Sequence, residues 1–278
     1  MITALDHLVV LLGDIEAGTK AYETLLGRAP SWRSRTDGAD SVFFTLENMS
    51  LELMAPAGEG PTADRIREAM KASGEGLASI CFRVADIAKA WRRLDRVALK
   101  PEPIADAESR DLASGDGLRW KRTRVATELS RGVRMFFLEI EQQLPRSAAT
   151  SASPVLGLDH VVVSTGDTER AAALYGARLG LDMALDRSHE DWGHLMFFRC
   201  GDLIVEVVRR PGAEQTNDEL MGLSWRVADI DAARGRLVTA GLDVSEVRAG
   251  RKPGTRVMTV RDGTCGVRTL FLELTPRA

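Results

Sequence analysis

The sequence predicts an α+β fold in which four βαβββ units form two tandem domains. One observation is a repeat: LDHLVV at residues 5–10 returns as LDHVVV at residues 158–163. A second is that later segments match in the same order, with small changes in the offset between the copies. Ordered matches over this length indicate two copies of one domain, joined with loop insertions and deletions.

Three further pairs of matching segments extend the repeat along the chain. They are SVFFTLENMSLELM (41–54) with HLMFFRCGDLIVEVV (194–208), CFRVADIAKAWRRL (81–94) with SWRVADIDAARGRL (224–237), and RGVRMFFLEI (131–140) with CGVRTLFLEL (265–274). Apolar and polar residues alternate in FFTLENMSLELM, which is typical of two strands joined at Glu-Asn. Each matched pair therefore marks an element that both copies share.

A finer repeat lies inside each copy, because every unit opens with an apolar strand, an aspartate and a helical pattern. In the first unit Asp14 can cap a helix whose apolar stripe includes Ile15, Tyr22 and Leu25. The caps of the other three units are Asp86, Asp167 and Asp229. The small, polar and proline-flanked stretch PRSAATSASP predicts a linker at residues 145–154, between domains at 1–144 and 155–278.

Composition narrows the range of function. The 278 residues are 44% hydrophobic and 28% charged with a net charge of −3, so no electrostatic footprint indicates nucleic acid or an anionic membrane as a partner. No apolar run approaches the ~20 residues that span a bilayer, and the N-terminus lacks a signal-peptide pattern. Three cysteines without metal-type spacing suit a reducing compartment. We expect a cytoplasmic monomer or homodimer that binds a small molecule.

Six polar side chains recur at matching places on the predicted strands. Alternate residues of a strand share a face, so His7 lies on the same face as Leu5 and Val9, and Glu139 on the same face as Phe137. A carboxylate among apolar neighbours is costly to bury unless it is paired, hydrogen-bonded or bound to a cation. The six are His7, Glu52 and Glu139 in the first copy and His160, Glu206 and Glu273 in the second. They are either metal ligands or hydrogen-bonded core groups.

The whole plan resembles the vicinal oxygen chelate superfamily, which includes glyoxalase I, extradiol dioxygenases, methylmalonyl-CoA epimerase and bleomycin-binding proteins. The resemblance lies in LDHxVV opening a unit, YxxxLG ending its helix, FRVADI opening the next unit and FLE closing it. It implies mixed, mostly antiparallel sheets that curl into a cup. It is specific for fold and weak for reaction, because one fold hosts many chemistries.

By this resemblance, up to four ligands in each domain project into the cup and hold a divalent ion such as Zn, Ni, Mn or Fe. His7, Glu52 and Glu139 correspond to three of them, as do His160, Glu206 and Glu273 in the second domain. The fourth place, commonly a histidine, falls at Ser79 and at Gly222. The resemblance thus implies a metal-dependent lyase or isomerase acting on a small carbonyl or enolisable substrate, with Glu139 and Glu273 moving the proton.

Two other functions stay open. A metal-free protein that binds a drug or antibiotic would fit the missing ligands at Ser79 and Gly222. An extradiol-type dioxygenase is disfavoured, because the two histidines and one carboxylate of such iron sites are not available.

The roles of three further residues stay open as well. His189 and His194 flank Trp192 and are either exposed loop residues or groups that enter the second cup. Cys265 lies beside glycines, but Arg131 occupies its place in the first copy, which excludes a catalytic thiol common to both domains.

Overall fold

A computed structural model describes residues 1–274 and confirms two tandem α+β domains, each with an eight-stranded mixed sheet. In the N-terminal domain, helices and strands alternate as the repeat predicts. Its elements are β1 (Ile2–Leu11), α1 (Ile15–Leu26), β2 (Trp32–Thr36), β3 (Ala39–Thr45), β4 (Ser50–Pro56), α2 (Pro61–Ser73), β5 (Gly76–Val84), α3 (Ile87–Arg96), β6 (Ala105–Arg110), β7 (Gly117–Arg124) and β8 (Arg134–Ile140).

The C-terminal domain repeats this order without a counterpart of α2. Its elements are β9 (Gly157–Ser164), α4 (Thr168–Ala172), which continues as a π-helix (Ala173–Arg178), β10 (Asp182–His189), β11 (Gly193–Cys200), β12 (Leu203–Arg209), β13 (Glu219–Arg226), α5 (Ile230–Thr239), β14 (Arg248–Ala249), β15 (Thr255–Val260) and β16 (Arg268–Leu274). The aspartates at positions 14, 86, 167 and 229 cap the helices as predicted, each accepting backbone N–H groups.

The two sheets have the same topology. The strand order is β2-β3-β4-β1-β5-β8-β7-β6 in the first and β10-β11-β12-β9-β13-β16-β15-β14 in the second. In each, the strand that carries the LDHxVV motif lies near the centre, parallel to one neighbour and antiparallel to the other. The motif therefore occupies the middle of a curved floor.

The central strand β1 of the N-terminal sheet separates two apolar layers. Leu8 and Val10 point to the helix side and join a core that runs through both domains, whereas Val9 and Leu11 point to the concave side and join a smaller cluster. The concave cluster includes Leu138 of β8. Parity along a strand thus decides whether a side chain meets the helices or the cup.

The two sheets differ in how far they close. In the N-terminal domain β2 and β6 meet: the Trp32 indole donates to Ser109 Oγ at 3.0 Å, and the carboxylate of Asp111 accepts from the backbone of Arg33 at 2.9 Å. In the C-terminal domain the corresponding β14 has only two residues, and every residue of β10 is exposed. The first cup is nearly a barrel and the second is open.

The domains are joined through their helix layers. Arg236 of α5 donates to the carbonyls of Thr24 and Leu25 at the end of α1, and Arg178 donates to that of Val97 after α3. The Tyr22 hydroxyl donates to the carbonyl of Thr264 at 3.2 Å. The predicted linker also lies against the end of α1, where backbone bonds join its residues 148 and 150 to Ala29 and Gly27. Among the helices of residues 1–274, none is long and apolar enough to cross a membrane.

Candidate functional site

The N-terminal cup encloses a cavity of about 640 Å³. This volume lies within the range of small-molecule sites. Residues from all eight strands, β1 to β8, line this cavity. Residues of α2 such as Arg65 line it as well. Trp32, Phe43, Trp120 and Phe136 form apolar parts of the wall. The cup therefore offers a mostly apolar space with polar groups on its floor.

Strand register sets two rows of residues across this floor. The first row runs Ser50, His7, Cys81, Phe136 on β4, β1, β5 and β8, and the second runs Glu52, Val9, Ser79, Arg134 on the same strands. All eight side chains line the cavity. The rows place one histidine and one glutamate diagonally across two neighbouring strands.

His7 lies between two carboxylates. Its Nδ1 is 2.8 Å from Asp6 Oδ1 and its Nε2 is 3.3 Å from Glu52 Oε2. Asp6 also accepts two bonds from Arg83, at 2.9 and 2.7 Å, and Glu52 accepts from Ser41 Oγ at 2.5 Å. The side chains of His7 and Glu52 are each only 13% exposed. The prediction that His7 and Glu52 come together thus agrees with this geometry.

The surroundings favour the charged imidazolium at this position. Burial by itself would lower the pKa of His7, but Cys81, Asp6 and Glu52 outweigh it and raise that pKa well above its usual range. Burial would likewise raise the pKa of Asp6, and His7 and Arg83 outweigh it and lower that pKa. In this charged form the ring can donate from both nitrogens.

Glu139 does not join this group, because it lies on the opposite face of β8. Its Oε2 accepts the backbone N–H of Ile87 at 2.6 Å, at the start of α3. Parity is the reason: Phe136 and Leu138 line the cavity, so Glu139 points to the helix layer. The N-terminus of a helix leaves N–H groups free and carries a partial positive charge, which binds a carboxylate. Glu273 does the same in the second domain, accepting from Ile230 at 2.8 Å.

The C-terminal domain keeps the same histidine geometry in an open cup. His160 Nδ1 is 2.9 Å from Asp159 Oδ2, and its Nε2 is 3.2 Å from Glu206 Oε2 and 2.7 Å from Ser224 Oγ. Burial raises the pKa of Glu206, although His160 opposes this. Ser224 is the β13 residue opposite His160, as Cys81 is the β5 residue opposite His7.

The residues directly opposite the histidines are not the ones at which the resemblance places a fourth ligand. Cys81 and Ser224 lie opposite His7 and His160, whereas Ser79 and Gly222 lie two positions earlier on the same strands. Ser79 also lines the N-terminal cavity.

The residues of the N-terminal cup do not fit the three-donor ion site that the resemblance implies. Within residues 1–274 no three His, Cys, Asp or Glu side chains are arranged to hold an ion. His7 and Glu52 would supply two donors, but Glu139 faces the helices and the next position on β8 is the apolar Phe136. Catalytic zinc sites use three protein ligands.

The other sequence candidates lie away from the N-terminal cavity. His189 is exposed and stacks on Trp192 at 4.6 Å between ring centroids, and His194 pairs with Asp186 at 2.5 Å, both on the β10–β11 hairpin. Cys265 is partly buried at a positive φ of 49°, and burial raises its pKa to about 11. None of these groups reaches the floor around His7.

Three groups on the floor were not singled out from the sequence. Ser41 and Cys81 look like ordinary strand residues, and only the register shows them beside Glu52 and His7. Arg134 belongs to the repeated GVR segment, where an arginine could equally be solvated. Parity with Phe136 was the available signal that Arg134 faces the cup.

Family models match both halves of the chain. Residues 5–157 match the glyoxalase-like domain, and residues 159–259 match the glyoxalase, bleomycin resistance protein and dioxygenase superfamily. A curated relative is the ethylmalonyl-CoA/methylmalonyl-CoA epimerase of Cereibacter sphaeroides, 35% identical over 97 residues, which are 34% of this chain and 70% of that protein.

Solved structures show the same fold across both domains. A variant of 4-hydroxymandelate synthase from Streptomyces coelicolor superposes with a TM-score of 0.73 at 15% identity, covering 100% of this chain and 95% of that one. A catechol 2,3-dioxygenase superposes with a TM-score of 0.64 at 14% identity, covering 100% and 90%. At these identities the likeness concerns architecture.

Proposed function

Because this chain belongs to the glyoxalase, bleomycin resistance protein and dioxygenase superfamily, we propose that its N-terminal cup is a small-molecule active site that moves a proton next to a carbonyl group. One observation carries the proposal: His7 Nε2 and Glu52 Oε2, 3.3 Å apart, lie on the floor of a cavity of about 640 Å³. The reaction class is an isomerisation or a lyase reaction, and similarity to an epimerase supports the former.

Glu52 is the proposed base and His7 the proposed hydrogen-bond donor. The Glu52 carboxylate takes the proton of the carbon next to the carbonyl, and the C–H electron pair moves into an enolate. The Nε2–H of His7 donates to the developing oxygen charge, which is the kind of stabilisation that lowers such barriers most. Return of the proton from Glu52 to the same face restores the substrate, and delivery of a proton to the opposite face by solvent water completes an epimerisation.

Asp6 and Ser41 position these two groups. Asp6 holds Nδ1 of His7 at 2.8 Å and is itself fixed by Arg83. Ser41 donates to Glu52 Oε1, which leaves Oε2 directed toward His7. Because Asp6 and Ser41 fix His7 and Glu52, neither of these two side chains has to change position when a substrate binds.

No step of this reaction needs a metal ion. An ion on His7 and Glu52 would have two protein donors in the N-terminal cup, with the Cys81 thiol and the Phe136 ring as neighbours. Elemental mass spectrometry of untagged protein, after incubation with Mn, Fe, Co, Ni and Zn, tests whether the protein binds such an ion. An equimolar ion that is lost in Glu52→Gln would restore the metal-dependent reaction implied by the resemblance.

The apolar wall favours a second candidate function, which is binding without turnover. Trp32 and Trp120 both line the cavity, and Trp120 belongs to the concave apolar cluster. Aromatic walls of this kind suit a sequestered drug-like molecule. In that case ligands would raise the melting temperature, and no proton exchange would occur on any carbonyl compound.

Proton exchange in heavy water distinguishes the two functions. Small 2-oxo acids, their amides and acyl thioesters are incubated with the protein, and loss of the proton next to the carbonyl is followed by NMR. We expect exchange with the wild-type protein and a loss of about 10²–10⁴-fold in Glu52→Gln, the usual contribution of general base catalysis.

Two carboxylate variants serve as matched controls. Glu139→Gln changes a glutamate of the same sheet that faces α3, and Glu206→Gln changes the counterpart of Glu52 in the open cup. Both should retain exchange. Exchange that survives Glu52→Gln and disappears in Glu206→Gln would place the reaction in the C-terminal domain instead.

A further inference from the structure

Arg134 is a cation on the cavity floor without a carboxylate partner. It lines the cup at the start of β8, and no Asp or Glu within residues 1–274 approaches it to salt-bridge distance. Its Nε is buried and makes no hydrogen bond among the described residues. A buried donor without a partner is costly, so the guanidinium is not fully satisfied by the protein.

The nearest groups do not neutralise this charge. The guanidinium carbon lies 5.9 Å from the ring centroid of Phe136, and an aromatic ring carries no opposite formal charge. Burial, together with Arg124 and Arg65, lowers the pKa of Arg134. Cationic neighbours make the binding of an anion beside Arg134 more favourable.

The acids that line the cavity are otherwise engaged or lie at its rim. Asp6 and Glu52 are taken by the hydrogen bonds around His7. The remaining lining carboxylates are exposed, and these are Asp37, Glu47, Asp106 and Glu108. An anion that enters the cup therefore meets Arg134 as a free cation on the floor.

We propose that Arg134 anchors a carboxylate of the ligand, so that the N-terminal cup takes a small anionic carbonyl compound. A guanidinium binds a carboxylate through two parallel N–H donors, which also fixes its orientation. Arg134 and His7 are separated by β5, that is by two strand spacings, about 10 Å. One compact molecule can thus contact both side chains from within the cup.

This inference rests on the proposed function for the reaction, but its test measures binding alone. Pyruvate and its uncharged amide are titrated into protein labelled with 15N-arginine, and the Nε–Hε resonance of Arg134 is followed by NMR. We expect pyruvate to move that resonance and to bind about tenfold or more tightly than the amide. Equal binding of the two probes, or an unmoved Arg134 resonance, would overturn the anchor.

The repeat supplies a matched control. Arg268 occupies the corresponding place on β16, where it is exposed at the open cup. Arg134→Met should abolish the preference for pyruvate, whereas Arg268→Met should retain it. Arg134→Lys keeps the charge and should recover part of the preference, which distinguishes a lost anchor from a misfolded cup.

The outcomes separate this inference from the proposed function. Pyruvate binding that depends on Arg134 and persists in Glu52→Gln would support the anchor even if no proton exchange occurs. Exchange on the amide as fast as on pyruvate, with no effect of Arg134→Met, would support the proposed proton transfer. It would also show that Arg134 does not anchor a carboxylate.

Discussion

At the scale of single residues, parity along a strand decides what a polar side chain does. Glu52 and Glu139 are both glutamates among apolar neighbours, yet one contacts His7 in the cup and the other the N-terminus of α3. Cys81 and Ser224 show the converse, since different side chains occupy the same place beside a histidine. Equivalent positions are therefore defined by register rather than by residue type.

The cysteines give a prediction at this scale. Burial raises the pKa of Cys200 to about 12 and that of Cys265 to about 11, and it also raises the pKa of Cys81. Since the thiolate is the reactive form, Cys200 and Cys265 should stay protonated near neutral pH. We expect iodoacetamide at pH 8 to alkylate Cys265 about a hundredfold more slowly than a free cysteine.

Peptide mass spectrometry measures the three rates separately. Denatured protein is the control, where the three should react alike. Rapid labelling of Cys81 in the native protein would show that its environment favours the thiolate.

At the scale of elements, one loop accounts for the closure of the N-terminal sheet. Asp111 is only 8% exposed and accepts backbone N–H groups from Arg33, Ala113 and Ser114, while Leu112 donates to the Arg33 carbonyl. These bonds join the end of β6 to β2. The C-terminal sheet has a two-residue β14 in place of β6 and leaves β10 exposed.

We expect Asp111→Asn to open this junction and to lower the free energy of unfolding by about 1–3 kcal/mol at pH 7. Burial would raise the pKa of the Asp111 carboxyl, but the backbone N–H groups outweigh it and lower that pKa. A lowered pKa stabilises the fold above the unfolded value of about 3.9, and this contribution is lost as the pH falls through the folded value.

Urea unfolding at several pH values measures the loss of stability in Asp111→Asn and its dependence on pH. The difference between wild type and Asp111→Asn should be full at pH 7 and should shrink below about pH 4. Asp116→Asn, an exposed carboxylate of the same loop, should change little. A difference that stays constant with pH would mean that the charge of Asp111 has no part in closure.

At the scale of the whole molecule, the two domains share one apolar core. A single cluster of buried residues includes Tyr22 and Leu25 of the first domain and Tyr175 and Leu237 of the second. Arginines bridge the helix layers, with Arg236 donating to the end of α1. The repeat has thus produced one folding unit, in which each domain covers an apolar face of the other.

We expect Arg236→Ala to lower the free energy of unfolding of the whole chain by about 1–3 kcal/mol, because two partly buried carbonyls lose a charged donor. The transition should stay single, since both domains depend on the shared core. Calorimetry measures the stability and the number of transitions. Arg234→Ala, which changes an arginine of α5 bonded within its own domain, is the control. Two separate transitions in the wild type would contradict the shared core.

Much of this architecture was predictable from the repeat. The LDHxVV motif, the four capping aspartates and the alternating strands predicted the order of elements, and the pairing of His7 with Glu52 agrees with the expected cup. The contact of Glu139 with the start of α3 was not predictable, because the sequence of the FLE segment does not show which face of β8 carries the glutamate. A shift of one residue moves a side chain to the other side of a sheet.

The sequence by itself determined the units, their duplication and the residue types available for chemistry, since these follow from local periodicity and from matching segments. Tertiary structure decided which of those residues meet. Curvature and register brought Arg134 to the same floor as His7, and the loop at Asp111 closed one cup while the other stayed open. Such contacts join residues far apart in the chain, and local pattern carries no information about the spacing between strands.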